Sequence, residues 1–550
     1  MNSSQRKIDP VHVLAALLLV ALTAGAAYLT LGVRPGPPAV LEAGGETLFL
    51  RGAWEIWLAW GLAAAGVALA AQVRRRPRMA ALAVLPLAAL GLWLALPALL
   101  KAEPETATFT STTQLGEETR RTLLIGIDAL SFDRLLPLVE AGRLPHFQRL
   151  MEEGSYGVLE SMRTQRWMTD EIGFWSPVVW TTIATGVRET KHGIDDFEIQ
   201  PDNGKRRMAM SYHRKAPAFW DIFSAFQRPA GVVGWWATHP AEEISGIMVS
   251  SSLGLRGHAD LKHLEIDDEA WFQRRRRLTY PQWYQRVITE DIGLPQGMDD
   301  WFDEEIFPYR RVPVLEPKNL KTLLSITWQD RMYLDTLLHL LAHEKEMSLY
   351  AVYFEGVDVL NHRFWQYLGS PGKLADEAAM KSIRLPEGFD DHRQVVDRYY
   401  EVMDDYLGRM LEAAGEGATV IVVSDHGFRA DPENPQGADH SPWGAILMRG
   451  PGIRAGQPLN LSLPTSVANL DEPVRVLDVL PTLLYLHGLP ISQNLDGSVI
   501  TRAFTRSFVS DRPMLTIPDY GDFESSREVE VEANDEEEYL RRMKSLGYIQ

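Results

Sequence analysis

The chain has 550 residues with a formal net charge of −18, and 45% of them are hydrophobic. That length allows more than one domain and a large core, while an acidic balance without a basic stripe argues against a nucleic-acid polymer as partner. Cysteine is absent, which rules out disulfides, thiolate ligands and a cysteine nucleophile.

Three long apolar runs crowd into the first hundred positions, at residues 11–33, 52–73 and 79–100. The first holds His12, the second Glu55, and the third carries no charge. Roughly 20 apolar residues cross a bilayer as a helix. A cleaved leader has one shorter core, so residues 1–101 are expected to form a three-span membrane anchor. Arg6 and Lys7 precede the first run, and Arg74, Arg75, Arg76 and Arg78 fill the turn between the second and third. The loop between the first two has only Arg34 and Arg51, at its ends. The positive-inside rule then places the N-terminus in the cytoplasm and everything beyond residue 101 outside, periplasmic or on the outer face. Glu55 reads as an interfacial group at a membrane edge. Residues 102–120, polar and Thr-rich, read as a linker.

From residue 121 short apolar runs meet polar turns. "TLLIGIDAL" ends at Asp128, "AGVVGWWATHP" reaches His239, "SLYAVYFEGVD" reaches Asp358 and "ATVIVVSDHG" reaches Asp425, with "GAILMRGPG" soon after. Runs apolar throughout suit strands buried on both faces of a parallel sheet. Helical patterns intervene, as over residues 394–414, where Val395, Val396, Tyr399, Met403, Leu407 and Leu411 share one face. The alternation predicts an α/β sandwich over residues 121–517, with a mostly parallel central sheet and helices on both faces. Its ligand site would lie beyond the carboxyl ends of the strands. Residues 255–321, with Trp271, Trp283 and Trp301, break the rhythm and read as an insertion, either a cap over the site or a structural excursion. The four arginines at 274–277 read as a solvated face. Residues 518–550 are an acidic tail with a short helix expected over 536–546.

The chemistry gathers at the strand ends. Asp358 and His362, four apart in "EGVDVLNHRFW", would share one face of a helix that starts where a strand stops. Asp425 and His426 are adjacent, His440 follows in "GADHSPWG", and Asp128 ends the first strand. Imidazole suits zinc, and carboxylates also accept manganese or magnesium. Six such ligands exceed what one tetrahedral ion needs, so two divalent ions are expected. His339 and His343 are also four apart, but near a helix C-terminus, where the dipole favours histidine, and no Glu occupies the HExxH place.

Ser176 precedes Pro177 in "SPVVWTTIATG", and two readings stand side by side. As an N-cap before a proline-led helix it would be structural. As a nucleophile it would use the same helix start, whose N–H groups bind phosphate, with a metal contact to ionise the hydroxyl. Thr181, Thr182 and Thr185, in the same helix, read as packed.

The pieces "GIDAL", "SPVVWTTIATG" with "HGI" after it, "EGVDVLNH", "VVSDHGF" and "GADHSPWG" occur in that order between Leu123 and Gly444. Together they resemble the alkaline phosphatase superfamily, and within it the type I phosphodiesterase/nucleotide pyrophosphatase branch. "DVLPTLLYLHGLP" and the closing "MKSLGYIQ" resemble the same family. The resemblance implies that Asp128, Ser176, Asp425 and His426 hold one metal and that Asp358, His362 and His440 hold the other. It implies that Ser176 attacks phosphorus and forms a covalent phospho-enzyme that water cleaves, with the second metal and helix N–H groups stabilising transition-state charge. Nucleotide pyrophosphatases carry an Asn just after HGI that contacts a phosphoryl oxygen, whereas "HGIDDFEI" has Phe197 there. Nucleotide specificity and the choice between monoester and diester are therefore left open. "SPVVW" lacks the Arg of a sulfatase motif, which argues against sulfate esters.

The function expected is that of a membrane-anchored, extracytoplasmic hydrolase of phosphate esters, with phosphodiesters as the first choice. Two alternatives are a phospho-headgroup transferase at the outer membrane surface and a phosphomonoesterase. A third is a non-catalytic binding module, which a complete ligand set argues against, because buried carboxylates without a cation are costly.

Overall fold

Five apolar runs become adjacent strands because none has a polar face to show to water. The computed structural model describes residues 121–165, 172–199, 207–254, 277–293, 317–365, 389–430, 438–460, 473–521 and 523. The three apolar runs of residues 1–101, the linker, most of 255–321 and the helix expected over 536–546 lie outside them. Among the described residues no helix is long and apolar enough to cross a membrane.

Strand β1 (Thr122–Ile127) leads into helices α1 (Phe132–Glu140) and α2 (Pro145–Glu153), then β2 (Ser155–Glu160) and a small hairpin, β3 (Thr164–Gln165) with β4 (Ile172–Gly173). Helix α3 (Ser176–Thr185) and the short α4 (Glu189–His192) follow, then a second small hairpin, β5 (Glu198–Ile199) with β6 (Arg207–Met208), and helix α5 (Phe219–Ala225). Strands β7 (Ala230–Val233), β8 (Gly246–Val249) and β9 (Thr279–Tyr280) come next, then the long α6 (Pro317–His343), β10 (Leu349–Phe354), α7 (Gly356–Phe364) and α8 (Phe389–Ala414). The chain goes on through β11 (Thr419–Val423), a ribbon of β12 (Gly427–Ala430) and β13 (Ala438–Ser441), β14 (Trp443–Arg449), β15 (Gln457–Pro458), β16 (Val474–Arg475) and α9 (Val479–Leu486).

The central sheet runs β15-β2-β14-β11-β1-β10-β7-β8-β9, with β16 also on β2. Every residue of β1, β10 and β11 is buried, as a strand covered on both faces requires. Register shows what covers each face. Leu123 pairs with Tyr350 and Tyr350 with Gly231, and a side chain added at Gly231 would meet Leu340 of α6. On the opposite face Thr122 Oγ1 lies 2.9 Å from His487 Nε2, just past α9, and a Cβ at Gly126 would lie 2.6 Å from the Trp180 ring of α3. Helices thus cover both faces. The six apolar residues expected on one face of α8 are all buried.

Three features differ from the sequence expectation. Strand β14 is antiparallel to both β11 and β2. The chain leaves β11, turns through the β12–β13 ribbon and comes straight back, without the helical crossover that a parallel neighbour needs. Strand β9 lies inside the supposed 255–321 insertion yet pairs with β8, so part of that segment is an edge of the central sheet. Lastly, Ser176 is not the N-cap. The backbone N–H groups of Val178 and Val179 both donate to Trp175 O, so Trp175 caps α3 and Ser176 is its first helical residue.

All ten residues of α3 are buried, and Thr181, Thr182 and Thr185 return their hydroxyls to carbonyls four residues back. His192 is also buried, between Thr182 Oγ1 at 3.0 Å and the Ile194 N–H, and burial pulls its pKa down to about 3, so it is neutral. Because β1 and α3 meet where Gly126 has no side chain, Gly126→Ala is expected to destabilise the fold by about 1–3 kcal/mol. The check is a lowered thermal midpoint; an unchanged one would mean that Trp180 does not press on β1.

Candidate active site

Strand β1 lies between β11 and β10 and parallel to both, so the carboxyl ends of the three lie side by side. Each carries an acid. Asp128 follows β1, Asp425 and His426 follow β11, and Asp358 stands in the first turn of α7, a helix that starts two residues beyond the end of β10. The turn after β1 is tight. Ala129 has a φ of 56°, a conformation that costs a non-glycine residue about 1–2 kcal/mol. It is held by the Ala129 N–H to Asp425 Oδ1, the Leu130 N–H to Ser424 Oγ at 2.9 Å, and the Asp128 N–H to Phe354 O at 2.9 Å.

Two triads result. In the first, His426 Nε2 stands 3.4 Å from both Asp128 Oδ1 and Asp425 Oδ2. In the second, His440 Nε2 is 3.3 Å and His362 Nε2 3.6 Å from Asp358 Oδ1, and the two imidazole nitrogens are 2.9 Å apart. The His426 and His440 rings stack with centroids 3.9 Å apart, which joins the triads. His440 arrives on β13, opposite Phe428. All six residues that the sequence singled out as Asp and His ligands are therefore brought together, and His339 and His343 stack on each other elsewhere, beside Tyr284.

The donor chemistry fits cations. His426 Nδ1 faces Gly427 O at 3.1 Å and His440 Nδ1 faces Phe174 O at 3.0 Å. A carbonyl can only accept, so each Nδ1 carries the hydrogen; His426 Nε2 then presents a lone pair inward, while His440 Nε2 faces Asp358 Oδ1 and, although burial works against it, the bond to Asp358 and its charge raise the His440 pKa. Asp128 Oδ1, Asp425 Oδ2 and His426 Nε2 are buried without a hydrogen-bond partner. Desolvation, then the charge of Asp358, pushes Asp128 up to about 8, and burial followed by the charges of Asp128 and Asp358 pushes Asp425 well above its usual value. Burial, then the charge of His440, holds His426 well below the usual imidazole range. Burial also works to raise Asp358, but His362 and then the hydrogen bond from His440 hold it low. Lone pairs facing lone pairs, with acids that resist ionising, are the signature of a site completed by positive charge.

Ser176 is tied to both triads. Two residues before it, Phe174 O accepts from His440, and one turn after it the Trp180 indole N–H donates to Asp128 Oδ2 at 3.1 Å. Ser176 and Trp180 share a helix face. Ser176 Oγ is buried and makes no hydrogen bond, on the first residue of a helix whose Pro177 lacks an N–H and whose Val178 and Val179 N–H groups are taken by Trp175 O. The capping role considered for it is not used. Phe197 is buried edge-on against Trp236 at 5.8 Å.

Several supporting groups escaped the sequence reading. Tyr353 donates to Asp128 Oδ2 at 2.6 Å, alongside Trp180. Asp330 accepts from the N–H groups of Glu355 and Gly356 and from Tyr399, which fixes the start of α7 and with it Asp358 and His362. Alternation along β10 is the one signal that would have placed Tyr353 beside Asp128; nothing local marks Asp330. Removing an outer partner of a ligand commonly lowers metal affinity 10–100-fold. Tyr353→Phe is therefore expected to weaken divalent-ion uptake by roughly tenfold with the fold retained. Metal titration followed by far-UV circular dichroism checks it, and unchanged uptake would remove Tyr353 from the site's support.

The sequence profile of the Type I phosphodiesterase / nucleotide pyrophosphatase family matches residues 122–440. No curated protein matches the sequence. Similar solved structures include human ectonucleotide pyrophosphatase/phosphodiesterase 5, which is 12% identical with a TM-score of 0.38 and covers 70% of this chain and 100% of that one. The phosphonoacetate hydrolase of Sinorhizobium meliloti is 16% identical with a TM-score of 0.31, over 57% of each chain. The phosphonate monoester hydrolase of Silicibacter pomeroyi is 13% identical with a TM-score of 0.37, over 72% of this chain and 77% of that one. With more than half of its length matched by the family profile, the chain belongs to the type I phosphodiesterase/nucleotide pyrophosphatase family and is a phosphoric ester hydrolase.

Proposed function

We propose that the protein is a membrane-anchored, extracytoplasmic phosphodiesterase that works with two divalent ions and a covalent phosphoserine at Ser176. The observation that carries this reading is the unpartnered, buried Ser176 Oγ at a helix start tethered to two Asp/His triads, the first of them fully buried. Asp128, Asp425 and His426, with Ser176, would hold one ion; Asp358, His362 and His440 would hold the other. Zinc suits the imidazoles, and manganese or magnesium the carboxylates. When bound, the ions supply positive charge that favours the ionised serine and offsets charge on the phosphate.

The chain's own groups do the rest. The start of α3 orients Ser176, whose own N–H would meet a phosphoryl oxygen. Ser176 Oγ bonds to phosphorus as the first ester oxygen departs with a proton from solvent. Water then attacks the phosphoserine, and the serine oxygen leaves and is reprotonated. Trp180 and Tyr353 hold Asp128 in place, and Asp330 holds α7.

In this reading residues 1–101 are the anchor, 102–120 the linker, 121–517 the catalytic domain with its 255–321 insertion, and 518–550 the tail. The full-length protein in detergent is expected to hydrolyse bis-nitrophenyl phosphate without an added acceptor and to stop with chelator. Ser176→Ala is expected to lose more than about a thousandfold of that activity at an unchanged thermal midpoint. Turnover that appears only with an acceptor alcohol would make it a transferase, and full activity in the alanine variant would dismiss the nucleophile. Since the chain has no cysteine, topology is open to single-cysteine labelling. Gly44→Cys and Ser510→Cys are expected to react with an impermeant maleimide on intact cells, and Arg75→Cys only after lysis; the reverse pattern would overturn the orientation.

A further inference from the structure

Helix α7 carries more than Asp358 and His362. Residues 358, 361, 362 and 365 recur at the spacing that lines one face of a helix. Trp365 still has helical backbone angles, so the stripe continues through it. The stripe meets the β12–β13 ribbon. His362 packs edge-on to the Phe428 ring at 4.9 Å, Trp365 lies 5.2 Å from the same ring, and Phe428 lies 5.6 Å from His440. Away from the stripe, Leu360 and Phe364 enter the core, and a methyl at Gly356 would overlap the Tyr399 ring.

Asn361 is the fourth member of this stripe, and the fold gives it nothing to do. It is 0% exposed, and both its Oδ1 and its Nδ2 are without a hydrogen-bond partner. A buried carboxamide with neither end satisfied weakens a fold, and a leucine of similar size would pack there without that penalty. An unsatisfied buried carboxamide on the stripe that holds two of the candidate ligands calls for a partner.

We infer that Asn361 is a specificity-determining residue whose Nδ2 donates a hydrogen bond to an oxygen of the bound phosphate ester on the Asp358–His362–His440 side. This rests on the function proposed above. An amide donor suits that place because it reads an anionic oxygen without adding a charge beside the candidate ligands, whereas an aspartate there would repel the phosphate.

The test uses the full-length protein in detergent with bis-nitrophenyl phosphate as substrate and inorganic phosphate as competitor. Asn361→Leu is expected to lower kcat/KM by about tenfold or more and to weaken phosphate inhibition, with metal content unchanged and a thermal midpoint equal to or above that of the parent. Asn361→Asp, which keeps the shape and removes the donor, is expected to lose at least as much. Asn361→Leu with unchanged kcat/KM, or with metal loss in step with activity loss, would overturn the inference. If Asn361→Leu does not fold, full activity in Asn361→Asp would do the same. Should the parent show no chelator-sensitive turnover, or Ser176→Ala remain active, the proposed function itself has failed. A normal parent and an inactive Ser176→Ala beside a fully active Asn361→Leu would confine the failure to this residue.

Discussion

The structure depends on one electrostatic constraint: Asp128, Asp358, Asp425 and His426 are buried at adjoining strand ends, and Asp128 Oδ1, Asp425 Oδ2 and His426 Nε2 face one another without a hydrogen-bond partner. Water would satisfy such groups readily, but the sheet and its helices exclude it. Burial of an unpaired carboxylate is so unfavourable that the group takes up a proton instead, which is how Asp128 and Asp425 are displaced upward. Within the first triad the fold supplies no hydrogen-bond partner for Asp128 Oδ1, Asp425 Oδ2 or His426 Nε2. The Nδ1 atoms of His426 and His440 are turned outward to carbonyls.

Around that conflict the rest of the fold is scaffolding of graded stiffness. Asp128 is braced twice on Oδ2, by an indole and a phenol, which leaves Oδ1 facing His426. Gly126 lets the indole come close enough to do so. Asp330 grips the amino end of α7, so that the helix cannot rock and spread Asp358 from His440. The β12–β13 ribbon delivers His440 from an antiparallel excursion. Each brace comes from a different element, and a well-ordered site needs all of them together.

Much of this was readable in the sequence. Apolar strands that stop in Asp or Asp-His advertise a polar strand end, and four-residue spacing put Asp358 and His362 on one helix face. The apolar stripe of α8 gave its buried face directly. What escaped was what depends on distant partners or on direction. Nothing in "GAILMRG" says whether a strand runs up or down, so β14 could not be seen to be antiparallel. Two-residue β9 is too short to show a period. Pro177 marked a helix start correctly, but one residue of capping geometry decided whether the Ser176 hydroxyl was occupied or available. Phe174 O is a backbone group and has no sequence signature, and Asp330 looks like any charged residue of a long helix until Tyr399 and the Glu355 and Gly356 amides close on it.

The bond from Ala129 to Asp425 joins residues 296 positions apart. Its consequence concerns time. While the chain is being made, Asp128 emerges early, at the end of an apolar strand whose two neighbours do not yet exist. Contacts of such long range form slowly and late. A nascent chain that stops before Asp425 holds Asp128, Asp358 and His362 but neither triad, so the site is withheld until most of the polypeptide has been synthesised and has come together.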